Sequence, residues 1–167
     1  MLNRRGLNFL GFLACVGMMG FAIYAEKILH LEPCPLCMFQ RVGVSALGFI
    51  FALAALHHPR GARGARVYAG LITLVAALPA VVAGRHIYVQ SQPEGSIPSC
   101  GATLDYMLEV FPLLTVVKKV LSGGGECARI DWRFLGLTMP MCVLASVLML
   151  VLLAWYAATR RVERRRY

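Results

Sequence analysis

Cys34 and Cys37, in the run Cys34-Pro35-Leu36-Cys37, are the residues of this chain best placed to do chemistry. A disulfide between them closes so small a loop that it adds little stability, because the entropic gain grows with loop length. Such a bond is better explained by thiol–disulfide exchange. Cys37 also lies where an apolar helix begins, and a helix N-terminus favours the thiolate. Arg41 follows four residues later, so on a helix it shares a face with Cys37. An ionisable residue inside an apolar span is costly and is read as functional, ahead of a side chain snorkelling to the interface. Arg85 and His86 stand at the end of another apolar run. Converging at one depth, Cys37, Arg41 and His86 line an apolar pocket with a thiol, a permanent hydrogen-bond donor and a proton carrier. That set suits a lipid-soluble two-electron acceptor such as a quinone, whose oxygens become negative on reduction.

Four further cysteines divide by context. Cys100 sits between Ser99 and Gly101, and Cys127 follows Gly123, Gly124, Gly125 and Glu126. A disulfide in such flexible, exposed surroundings is open to attack by an outside thiolate, while a purely structural tie across the loop is the competing reading. Cys34, Cys37, Cys100 and Cys127 allow three connectivities. A four-cysteine zinc site is chemically possible, but Cys100 and Cys127 lack the spacing of a second knuckle and an oxidising compartment disfavours free thiolates. No resident metal is expected. Haem attachment requires His after the second cysteine, where Met38 stands, and no βαβ context for a thioredoxin-like site surrounds the motif. Cys15 and Cys142 lie in apolar runs and read as small hydrophobes.

The elements that must position these residues follow from composition. Of 167 residues, 59% are hydrophobic and 15% charged, against about a quarter charged in soluble domains. That excludes a disordered binder, a collagen and a large soluble enzyme. A bilayer crossing needs about 20 mostly apolar residues, and four such runs occur at about residues 7–25, 38–56, 67–86 and 139–159. The first is long for a signal h-region and reads as a retained helix. Gly43, Gly48, Gly70 and Pro79 do not argue against helix, because lipid offers the backbone no other partner. The expected fold is all-α: a single membrane domain over residues 1–167, a bundle of four transmembrane helices with outer loops at about 26–37 and 87–138.

The net charge of +9, from 17 basic and 8 acidic residues, is not spread over a surface. Arg4 and Arg5, then Arg60, Arg63 and Arg66, then Arg160, Arg161, Arg164, Arg165 and Arg166 alternate with the spans as the positive-inside rule requires. The charge reports topology, with both termini cytoplasmic, and implies no nucleic acid. In the long loop, Phe111, Leu113, Leu114, Val116, Val117, Val120 and Leu121 surround Lys118 and Lys119. This pattern predicts a short amphipathic helix lying at the membrane interface, or else an apolar patch packed on the bundle.

Taken together, CPLCMFQR, GRHIYVQS, PSCG, GECA and WRFLGLTMP resemble the DsbB family of bacterial inner-membrane disulfide-generating proteins. The resemblance implies a protein dithiol:quinone oxidoreductase serving a DsbA-like periplasmic thiol oxidase, with ubiquinone or menaquinone as cofactor and the quinone pool and lipid bilayer as surroundings. It implies that Cys100 and Cys127 form the partner-facing pair, Cys100 being the point of attack. Cys34 and Cys37 are then the quinone-facing pair, with Cys37 beside the ring, Arg41 assisting quinone chemistry and His86 binding quinone. The DsbA couple stands near about −120 mV, so drawing electrons from it requires a strongly oxidising sink. A membrane anchor with two stabilising disulfides is the alternative from another class. An enzyme of the vitamin K epoxide reductase type is a third, against which the GECA to WRFLGL run counts.

Overall fold

The four apolar runs become helices whose ends are set by local chemistry. In the computed structural model, which describes residues 3–59, 61–93, 109–122 and 125–160, α1 spans Arg4–Lys27. Its N-cap is Asn3, whose side chain accepts from the Gly6 N–H at 2.8 Å. Helix α2 spans Pro35–His57, opening with Pro in its first turn and closing on His58 in the left-handed conformation ahead of Pro59. Helix α3 spans Ala62–Gln90 with Pro79 inside it. A short α4 (Leu113–Ser122), a single turn α5 (Gly125–Ala128) and a two-stranded ribbon, β1 (Arg133–Phe134) and β2 (Leu137–Thr138), lead into α6 (Met139–Thr159). The chain is thus an all-α membrane protein in which α1, α2, α3 and α6 are each long and apolar enough to cross a bilayer.

Large apolar side chains cover the outer face of the bundle as well as its interior, unlike those of a soluble bundle. Leu74, Val81 and Leu152 are 72%, 67% and 69% exposed, as lipid-facing residues should be. The interior holds Leu47, Phe51, Ile72 and Val147 among alanines such as Ala69, Ala76 and Ala154, because small residues let membrane helices approach closely. Around the bundle the order is α1, α2, α3, α6, with α6 closing onto α1. Two glycines record the closest approaches. A Cβ at Gly43 would lie 2.8 Å from Pro79 Cδ, and one at Gly11 would lie 2.5 Å from the Phe51 ring.

Arg4 belongs to the interior as much as to the surface charge pattern. Only 4% exposed, it donates through Nε to the Ala157 carbonyl at 3.2 Å and through its terminal nitrogens to the carbonyls of Pro59, Gly61, Ala158 and Arg160. It therefore ties α1 to the α2–α3 connection and to the end of α6, satisfying carbonyls that a helix C-terminus leaves unpaired.

At the opposite end, α4 buries Val116 and Val120 against Leu36, Val82 and Val89, the i, i+4 face of an amphipathic helix laid on the bundle. Leu113 and Leu114 remain exposed. The ribbon pairs Arg133 with Thr138 and Phe134 with Leu137 through a two-residue turn whose residues, Leu135 and Gly136, both have positive φ. It carries Trp132, which stacks on Phe134 and tilts against Phe21 of α1.

Candidate active site

The end of the bundle that holds α4 and the ribbon also gathers the thiols. Cys34 is the N-cap residue of α2, and its Sγ accepts from the Cys37 backbone N–H at 3.4 Å. One turn of helix brings the two sulfurs to 3.1 Å. A disulfide is about 2.05 Å long, so the pair closes with a movement of about 1 Å and no change of helix. The α2 face bearing Leu36, Gln40, Gly43 and Leu47 is buried, and the same 3–4 spacing on α3 buries Pro79, Val82, His86 and Val89. Helical register thus carries a histidine and a glutamine into an apolar interface beneath the thiols.

His86, only 3% exposed, places Nε2 3.8 Å from Cys34 Sγ and Nδ1 4.0 Å from Cys37 Sγ. The Gln40 amide nitrogen lies 3.1 Å from Nδ1. In that orientation the amide donates to Nδ1 and the ring hydrogen sits on Nε2, facing Cys34. Gln40 carries no charge to set it apart from Arg41 in the sequence, and its helical spacing from Leu36, Gly43 and Leu47 is the signal that puts it on the buried stripe of α2.

Arg41 neither reaches into lipid nor stands alone. It donates to the carboxylate of Glu26 and, at 2.9 Å, to the Ala22 carbonyl, both on α1. The two charged side chains are 19% and 28% exposed, so the charge that made Arg41 conspicuous is matched in place. Arg85, which precedes His86 in α3, lies over the Tyr88 ring at 5.0 Å.

A cavity of about 390 Å³ opens beside this cluster, bounded by Cys34, Cys37, Arg41 and His86 and walled by apolar groups including Phe21, Val44 and Trp132. Gln90 also borders it, and the buried Gln90 Oε1 has no hydrogen-bond partner among the described residues. Cys142 is not merely a core hydrophobe, since it forms part of the cavity wall. Cys15, by contrast, is buried against the backbone of Gly48. Cys127 lies in α5, packed in the apolar cluster that Cys34 borders, with its backbone within reach of the His86 ring. Cys100 falls outside the described residues.

A helical membrane protein that holds a two-cysteine motif, a third cysteine and a buried imidazole around one apolar cavity is a membrane thiol–disulfide protein. Residues 4–157 match the family model described as disulfide bond formation protein DsbB, and the chain belongs to that family. It is 48% identical over 162 residues to the disulfide bond formation protein B of Chromobacterium violaceum, covering 95% of each chain. To that of Xanthomonas euvesicatoria pv. vesicatoria it is 47% identical over 148 residues, 89% of this chain and 86% of the relative. The Acinetobacter baumannii protein of the same name is 44% identical over 159 residues, 95% of this chain and 93% of its own. No solved structure matches. Disulfide formation is therefore the business of this chain, and its role is that of a disulfide oxidoreductase.

Proposed function

We propose that this chain oxidises a DsbA-like periplasmic dithiol protein by disulfide exchange and delivers the electron pair through Cys34 and Cys37 to membrane quinone. The observation that carries the reading is the meeting of the Cys34–Cys37 pair, His86 and Arg41 at one apolar cavity, with Cys127 packed alongside.

A partner thiolate attacks Cys100, breaking the Cys100–Cys127 bond; the second partner thiol resolves the mixed disulfide and leaves both loop cysteines reduced. The loop thiols then reduce the Cys34–Cys37 disulfide and recover their own. Packing of Cys127 against the cluster that Cys34 borders supports a short path for this second exchange.

The cavity fits a quinone headgroup. Its volume lies within the range of small-molecule sites, and apolar walls with a few convergent polar groups are what such sites present. Arg41 supplies fixed donors, His86 a donor that also holds a proton, and Gln90 Oε1 an unmatched acceptor for a hydroxyl. A bound quinone takes up two electrons and two protons, matching what two thiols release on forming a disulfide. With the Gln40 amide turned so that its oxygen accepts from Nδ1–H, the Nε2 lone pair of His86 faces the Cys34 sulfur and can take up a thiol proton. Ubiquinone and menaquinone both satisfy these requirements.

The arginine clusters support a location in the bacterial inner membrane with both termini cytoplasmic, which puts the thiols on the periplasmic side. The test is purified protein with reduced DsbA and a soluble quinone, following quinone absorbance with time. One quinone consumed per DsbA disulfide formed is expected. Full turnover by Cys100→Ser overturns the relay, and oxidation of DsbA without quinone consumption overturns the electron sink.

A further inference from the structure

Three potential ligand atoms, Cys34 Sγ, Cys37 Sγ and a ring nitrogen of His86, lie within 4.8 Å of one another at the cavity wall. We propose that the reduced form of this site is a Zn²⁺ site, with both thiolates and His86 as ligands and a water from the cavity in the fourth position.

The spacing is that of one face of a tetrahedron. With Zn–S about 2.3 Å and Zn–N about 2.0 Å, ligand atoms should stand about 3.8 Å apart between sulfurs and about 3.5 Å from sulfur to nitrogen. The sulfurs lie 3.1 Å apart, Nε2 lies 3.8 Å from Cys34 Sγ, and the three ligand atoms all fall within 4.8 Å of one another, so an ion seats after side-chain shifts of roughly 1 Å. The ligand types suit zinc: two soft sulfurs on one helical turn and an imidazole from a facing helix. Gln40 completes the arrangement. A half-turn of its amide presents oxygen to Nδ1–H, fixing the tautomer that leaves Nε2 free for metal, as outer partners of zinc-bound histidines do. The polar groups bounding the cavity leave room for a bound water at the remaining position.

Binding expels the two thiol protons and leaves both sulfurs coordinated, unable to attack a disulfide or to close on one another. The disulfide form has no thiolates to offer. The site is therefore gated by redox state, and zinc arrests the protein in its electron-loaded form. This rests on the proposed function only in requiring that the Cys34–Cys37 pair can be reduced.

The test uses the full chain in detergent micelles, reduced, freed of reductant under anaerobic conditions, with its thiols counted, and titrated with Co²⁺ as a spectroscopic stand-in for zinc. Reduced protein should take up one equivalent, giving a thiolate-to-cobalt charge-transfer band and the visible bands of a tetrahedral ion, both bleached by Zn²⁺. Oxidised protein should give neither. Cys34→Ser, Cys37→Ser and His86→Ala should lose the tetrahedral signature, Gln40→Ala should weaken binding by roughly tenfold, and Cys15→Ala should bind as the parent does. The double variant Cys100→Ser/Cys127→Ser should keep the band, which separates this site from the loop thiols. No band in protein with Cys34 and Cys37 shown to be reduced, or a band that survives Cys34→Ser, overturns the zinc site. Reduced protein that ignores Co²⁺ yet still reduces quinone overturns the zinc site alone, whereas protein that binds Co²⁺ and never reduces quinone overturns the proposed function alone.

Discussion

Arg41 of α2 is held from α1 by the Glu26 carboxylate and the Ala22 carbonyl. The pair spans two helices at the edge of the cavity, so Glu26 fixes where the guanidinium points. Glu26→Gln removes the opposing charge and frees the arginine to rotate. A loosely aimed donor costs binding geometry rather than fold, so KM for quinone should rise by roughly tenfold with kcat little changed. Arg41→Ala should raise it further, and steady-state quinone kinetics measure both. Unchanged kinetics in Glu26→Gln would mean that the ion pair only neutralises charge.

How much of this was legible in the sequence depends on what kind of signal each feature leaves. The four spans are written in runs of apolar residues, which a bilayer demands and periodicity cannot hide. The Cys34–Cys37 pair and Arg41 stand out because charge and thiols are rare there. Glu26, by contrast, is read from sequence as the start of a loop, and nothing in its spacing shows that α1 continues far enough to bring it against Arg41. Arg4 is counted correctly as part of a basic cluster, yet composition cannot show that its guanidinium folds back onto five carbonyls. The ribbon at residues 133–138 leaves almost no trace: Leu135-Gly136 is a weak hairpin signal beside Asn-Gly or Asp-Gly, and the surrounding run reads as the approach to the last span.

Arg4 should matter to stability and not to chemistry. Arg4→Ala removes the donor to the Pro59 carbonyl and the second donor to those of Ala157 and Gly61, which keep their bonds from the Arg160 and Ala65 N–H groups, at a buried to part-buried end of the bundle. Hydrogen bonds to charged groups contribute about 1.5–3 kcal/mol each, but water can reach part of this end, so a net loss of about 2–4 kcal/mol is expected. Arg4→Lys should recover only part, because an ammonium lacks the fork that serves several carbonyls. Thermal unfolding in detergent tests this, with turnover at low temperature expected to match the parent.

Gly43 and Pro79 make a similar argument inside the bundle. A Cβ at Gly43 would meet Pro79 Cδ at 2.8 Å and Cβ at 2.9 Å, and a proline ring cannot swing aside as a flexible side chain can. Gly43→Val should force α2 and α3 apart and destabilise the fold by about 1–3 kcal/mol. Gly70, whose Cβ position meets nothing within 4 Å, is the matched control: Gly70→Val should leave the melting temperature nearly unchanged.

Five of the six cysteines should separate by function. Replacement of Cys34, Cys37, Cys100 or Cys127 by Ser should abolish quinone-linked oxidation of DsbA, because each relay step consumes both sulfurs of a pair. Cys15→Ala should retain turnover, since Cys15 is buried in the bundle core beside Gly48 and does not line the cavity. Quinone absorbance with reduced DsbA present reads all five variants.

Gln90 offers the sharpest distinction between a structural and a ligand-binding role. Gln90 lines the cavity, and its buried Oε1 has no hydrogen-bond partner among the described residues, an arrangement that disfavours the fold, because a buried acceptor without a donor costs about 1–3 kcal/mol. A leucine of similar size removes that cost. Gln90→Leu should therefore leave the melting temperature unchanged or raise it. If the oxygen awaits a hydroxyl of reduced quinone, the same substitution should weaken quinone use and raise KM, since the ligand loses its acceptor. The two readouts move in opposite senses only when the unmatched oxygen serves a ligand. A Gln90→Leu protein that melts lower and binds quinone as the parent does would assign the residue to packing instead.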